Sequence, residues 1–188
     1  SGGAVTHVGI ALTFGLIVMA MIYSIGAQSG AHINPAVTIA FWASGTFDKK
    51  DVLPYVAAQI TGAVLASAVL YCLFPEHATQ GATLPLNSYS QAFVIEVLLS
   101  FILMFVIVNV SEGSKETGKM AGIAIGGVVA LEALFAGPIT GASMNPARSI
   151  GPALFSGELQ YLSLYSAAPI VGMLLATLFC KLTQAKAA

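Results

Sequence analysis

Two tripeptides carry most of the chemistry open to this sequence: Asn34-Pro35-Ala36 and Asn145-Pro146-Ala147. Each follows a Gly-containing approach and opens an apolar stretch of about ten residues, too short to cross a bilayer core. Asparagine is a favoured helix cap, and its side-chain NH2 can also donate to a passing oxygen. Proline directly after it suits the first helical position, where a missing amide costs nothing. A half-helix of this kind would aim its unsatisfied amides and the positive end of its dipole at whatever lies before it. Arg148 follows the second tripeptide, and a charge at membrane depth marks a functional site by default.

Other chemistries find little support. The chain has 188 residues, 57% hydrophobic and 8% charged, with mean hydropathy +0.87, against about a quarter charged in soluble domains. Formal net charge is -1, so no basic face invites nucleic acid. No nucleophile, base and orienting group occur together, which argues against an enzyme. Neither a metal-ligand cluster nor a cofactor motif occurs. Cys72 and Cys180 lie in apolar runs and are expected to pack as small hydrophobes.

The elements that must position the two tripeptides are long apolar segments. Five reach spanning length, at about Val5 to Gly26, Val52 to Phe74, Tyr89 to Val110, Met120 to Ile139 and Leu159 to Leu182. The stretches starting at Asn34 and Asn145 read as re-entrant half-helices. Six lysines, at 49, 50, 115, 119, 181 and 186, all fall on one side of the bundle. By the positive-inside rule the loops around Asp48 and Ser114 and the C-terminus face the cytoplasm, while Pro75 to Ser88 and the N-terminus face out.

Residues 29–38 match residues 140–149 at an offset of 111, an internal duplication. An odd number of spans separates equivalent points, so the two copies are inverted, with the functional site at their interface. Repeat one is assigned to 1–75 and repeat two to 89–188, within a single channel domain over 1–188. The helix near Tyr89 to Val110 has a counterpart that would precede residue 1. Repeat one is therefore expected to be incomplete, with five of six spanning helices present, as in a truncated six-helix protein or else a five-helix variant.

With its doubled Asn-Pro-Ala motif and Arg148, the sequence resembles the aquaporin, or major intrinsic protein, family over essentially its whole length. The resemblance implies an all-α membrane protein, an inverted-repeat helical bundle with two half-helices, each subunit with its own pore and four subunits to the assembly. It implies passive passage of water or a small neutral solute with ions and protons excluded, in a plasma or inner membrane. The family's four-residue constriction, carried across by distance from the two asparagines, falls on Phe14, Ala133, Ala142 and Arg148. Strict water channels usually have histidine where this chain has Ala133, so the opening is expected to admit glycerol, urea or a similar solute with water. Ser149 and Ala153, by contrast, resemble the water-channel pattern. The resemblance also gives Glu96 the task of bracing the second re-entrant loop through its backbone amides.

Further residues have plainer readings. Glu132 should turn about 100° away from the filter position Ala133 and take a structural hydrogen bond. His32 is expected to line the pore or brace its loop, while His7 and His77 show no evident partner. Gly62, Ala66, Gly126, Gly127 and Gly172 suggest close helix packing. The alternative function is an ion-coupled secondary transporter of a small polar solute, for which only Glu96 and Glu132 offer buried acids.

Overall fold

The computed structural model describes residues 3–111 and 118–184. Seven helices lie in the described residues: α1 His7–Ser29, α2 Pro35–Ser44, α3 Lys49–Leu73, α4 Tyr89–Ser111, α5 Ala121–Thr140, α6 Pro146–Ser156 and α7 Leu162–Gln184. Five of them, α1, α3, α4, α5 and α7, are long and apolar enough to cross a membrane. The other two, α2 and α6, are the half-helices. Their lengths of 10 and 11 residues give a rise of only about 15 Å.

The half-helices start where the capping chemistry of the sequence puts them. Asn34 and Asn145 stand outside the helical region and cap their own helices, with Oδ1 of Asn34 accepting from Ala36 N and Oδ1 of Asn145 accepting from Ala147 N. Pro35 and Pro146 occupy the first turn. Each preceding span ends on a glycine in the left-handed region, Gly30 at φ 79° and Gly141 at φ 80°, so the chain can turn back into the bundle.

The two copies interlock. α1 crosses α5 at Gly15 and Gly126, themselves 111 residues apart: a Cβ on Gly126 would fall 2.5 Å from the carbonyl oxygen of Gly15, and one on Gly15 would strike the carbonyl of Gly126. α4 packs along α7, where a Cβ on Gly172 would strike the carbonyl of Val97. The core between them is made by Leu99, Leu103, Met104 and Ile107 of α4 with Met173, Ala176 and Cys180 of α7. Backbones this close need small residues, which are the usual means of helix association where lipid removes the hydrophobic drive.

The helices after the half-helices correspond too, at an offset of 110: Tyr55, Ala57, Ala58, Ile60 and Gly62 of α3 match Tyr165, Ala167, Ala168, Ile170 and Gly172 of α7. Their surroundings differ. Gly172 is pressed against α4, whereas a Cβ added to Gly62 would meet nothing within 4 Å, and the same holds for Gly127. Close packing thus holds for Gly126 and Gly172 but not for Gly62, Gly127 or the exposed Ala66. Cys180 is buried as expected, but Cys72 is exposed.

The lysine ends converge. Lys181 Nζ, in the last turn of α7, donates to the carbonyl of Ala43 near the end of α2. The short turn after α2 then runs through Phe47 and Asp48 into Lys49 and Lys50 at the start of α3. Tyr23 OH, late in α1, donates to the carbonyl of Lys119. The lysines at 115 and 186 lie outside the described residues.

Candidate pore and filter

The two re-entrant loops meet through a reciprocal clamp. Asn34 Nδ2 donates to the carbonyl of Met144 at 2.7 Å, and Asn145 Nδ2 donates to the carbonyl of Ile33 at 2.8 Å. Each asparagine thereby ties its own half-helix to the loop before the other. One N–H of each side chain is spent on the clamp, and both asparagines line the same cavity.

The loops reach that geometry through strain. Ala31 (φ 46°), Ile33 (φ 54°), Ala142 (φ 42°) and Met144 (φ 53°) all sit in the left-handed region, again at the 111-residue offset. For a β-branched residue such as Ile33 this is a genuine outlier, and such residues persist only where their surroundings over-determine them. In the second loop the surroundings are Glu96: Oε1 accepts from Thr140 Oγ1 (2.7 Å) and Ser143 N (2.9 Å), and Oε2 accepts from Met144 N (2.8 Å). The side chain is fully buried, and its contacts are those of a brace on the second loop.

Two cavities run along the interface of the copies. The inner one, about 210 Å³, reaches from His32, Asn34 and Asn145 to the filter positions. The outer one, about 180 Å³, is lined by His7, Ile10, Ala11 and Gly137 among others. Among the described residues four line both: Phe14, Ala133, Ala142 and Arg148. These are the four positions expected to form the constriction, and they come together at the junction of the cavities. Arg148 lies with Cζ 5.1 Å from the centroid of the Phe14 ring, a cation–π distance. Its Nη1 donates to the carbonyl of Gly81 at 2.7 Å.

His32 lines the inner cavity. Its ring packs among Phe41, Phe47 and Tyr55, with centroids 4.7 to 4.9 Å away, and its Nδ1 lies 3.1 Å from Thr38 Oγ1.

Several residues depart from expectation or escaped it. Glu132 is buried and lines neither cavity, but no hydrogen-bond partner meets either carboxylate oxygen among the described residues. His7 does have a partner, the carbonyl of Leu134 at 2.7 Å, and His77 Nδ1 accepts from Gln80 N at 3.2 Å. Tyr55 and Tyr165 are matched pins: Tyr55 OH donates to the carbonyl of Ser29 at 2.9 Å, and Tyr165 OH to that of Thr140 at 2.6 Å. The repeated Tyr-x-Ala-Ala pattern was the signal that could have found them. Gly81 and Thr83, on the outer loop, left no such signal.

The sequence pattern of the family described as Major intrinsic protein matches residues 1–180. The chain is 48% identical over 171 residues to aquaporin NIP1-1 of Zea mays, covering 90% of this chain and 61% of that protein. It is 49% identical over 181 residues to aquaporin NIP3-1 of Arabidopsis thaliana, covering 92% of this chain and 56% of that one. Among solved structures, the aquaglyceroporin from Plasmodium falciparum superposes with a TM-score of 0.82 at 26% identity, over 93% of this chain and 81% of that chain. The chain thus spans about 60% of the length of the curated relatives it matches.

Proposed function

This chain belongs to the major intrinsic protein family, and from that premise we propose that it forms a passive pore for water that also admits small neutral solutes such as glycerol or urea. The observation that carries the reading is that Phe14, Ala133, Ala142 and Arg148 alone among the described residues line both cavities. A solute moving from one cavity to the other passes these four side chains. The guanidinium presents donors to a neutral oxygen and a barrier to cations, and the half-helix N-termini below it add a positive field. Two alanines opposite leave the opening wide and apolar.

The asparagines Asn34 and Asn145 are the midplane donors in this reading, with Pro35, Ala36, Pro146 and Ala147 building the helix starts that present them. His32 lines the inner path and Glu96 holds the second loop. Coupling to ions is not favoured, because both carboxylate oxygens of Glu96 already accept hydrogen bonds from Thr140, Ser143 and Met144 and Glu132 lines neither cavity. The single channel unit of two inverted repeats and the homotetramer implied by the resemblance belong to the same proposal.

Stopped-flow light scattering on proteoliposomes tests it. The expected result is shrinkage under an impermeant osmolyte well above that of empty vesicles, followed by re-swelling under glycerol. Water flux equal to that of empty vesicles overturns the reading.

A further inference from the structure

The two copies secure their half-helices by matching hydroxyls, but they find partners for them differently. In repeat one, Thr38 Oγ1 lies 3.1 Å from His32 Nδ1 and accepts from Gln59 Nε2 of α3 at 3.1 Å. The counterparts of Thr38 and His32 at the 111-residue offset are Ser149 and Ser143, whose hydroxyls are 2.6 Å apart. The α7 residue that corresponds to Gln59 is Pro169, which has no side-chain donor. The place of Gln59 is instead taken by Thr83, from the outer loop between α3 and α4: its Oγ1 is 2.8 Å from Ser149 Oγ.

That exchange has a consequence for the filter. Thr83 is buried, and Gly141 leaves room for it, since a Cβ there would come within 3.1 Å of Thr83 Cγ2. Two residues earlier on the same loop, the carbonyl of Gly81 accepts from Arg148 Nη1. Three residues later, Leu86 N donates to the carbonyl of Ile139. Beside Gly81 the loop is closed on itself, Gln80 bonding to Phe74 and His77 and Ala82 N to the carbonyl of Thr79, so what sets its position over the second copy is its ties to α5 and α6, of which the Thr83–Ser149 bond is the one nearest Gly81. Ser149 is buried and lines neither cavity.

We propose that Thr83 and Ser149 form a pin that fixes the outer loop so that Gly81 holds Arg148 at the pore mouth, making Thr83 a positioning residue for solute selection. The inference rests on the filter reading above. It gives Ser149 a physical route to selectivity although Ser149 does not touch the path: it sets where the acceptor for Arg148 stands.

The test compares Thr83→Val, which removes the hydroxyl, with Thr83→Ser, which keeps it, in proteoliposomes assayed for both water and glycerol. Losing one hydrogen bond that anchors the loop carrying the guanidinium's acceptor should raise the glycerol-to-water permeability ratio of Thr83→Val by roughly three- to tenfold, with Thr83→Ser restoring the wild-type ratio. Ser149→Ala removes the same bond from the other side and should shift the ratio alike, and the double variant should add little to either single one. An unchanged or lowered ratio in both Thr83→Val and Ser149→Ala overturns the pin. So does an equal rise in Thr83→Ser. Because the wild-type protein must conduct for any ratio to exist, failure of the channel reading is seen separately.

Discussion

Replacing Ala133 with histidine puts the proposed filter under direct strain. Ala133 is 9% exposed and lines both cavities, together with a guanidinium already held between the Phe14 ring and the Gly81 carbonyl. An imidazole adds a whole ring at the junction of the cavities, where those two contacts keep Arg148 from withdrawing. For a solute the size of glycerol, forcing passage then resembles overpacking, with a cost of about 1–3 kcal/mol. Such a rise in barrier slows glycerol by roughly 5- to 150-fold. Water needs a smaller opening and gains a polar contact from the ring, so its flux should fall by no more than about threefold. Stopped-flow measurement of both solutes on the same vesicles gives the comparison. Equal slowing of water and glycerol would refute the placement of the constriction at Ala133.

Two further substitutions probe what holds the pore in shape. Glu96→Gln turns an NH2 toward donors that now converge on a carboxylate, so it should cost about 2–3 kcal/mol and lower both unfolding temperature in detergent and water flux; a variant indistinguishable in both measures would remove the bracing role. Gly126→Ala drives a Cβ to within 2.5 Å of the Gly15 carbonyl and should destabilise by about 1–3 kcal/mol, whereas Gly127→Ala, with open space at that position, should be neutral or slightly stabilising on helix propensity. Thermal unfolding of the pair in detergent decides it, and equal behaviour would mean that the α1–α5 crossing is not the close contact described.

The spans and half-helices were legible because length and hydropathy are properties of single segments, and because Asn-Pro at a helix start states its own capping chemistry. Their observed ends differ from expectation by only a few residues. The four residues that line both cavities were reached through a resemblance and a fixed distance from two motifs, and their role as a filter belongs to the proposed function. What could not be read was conformational or depended on the outer loop. Nothing about Ala31, Ile33, Ala142 or Met144 announces a left-handed backbone, since none is a residue type that favours it. Gly81 and Thr83 lie in a segment with no periodic pattern, so their contact with Arg148 and Ser149 emerges only once the loop is folded over α6. The open surroundings of Gly62 were hidden for a related reason: a small residue permits a close neighbour without requiring one.

The 111-residue correspondence also says where selection should reside. Applied to the four proposed filter positions, it pairs Phe14 with Ile125, Ala133 with Ile22, Ala142 with Ala31 and Arg148 with Val37. All four partners line the inner cavity. The duplicated fold therefore builds the same ring of positions on both sides of the asparagine clamp, but fills it differently. The side chains of the inner ring are wholly aliphatic and offer a solute neither charge nor hydrogen bond. The outer ring carries an aromatic face and a guanidinium, with a carbonyl from Gly81 to hold that charge in place. Features common to both copies, the capped half-helices, the strained loops and the tyrosine pins, make a path that is symmetric about the midplane. Under the proposed function the shared half-helix ends act on cations from both sides, whereas discrimination among neutral solutes comes from what the copies do not share, chiefly Phe14 and Arg148 with the loop that positions it.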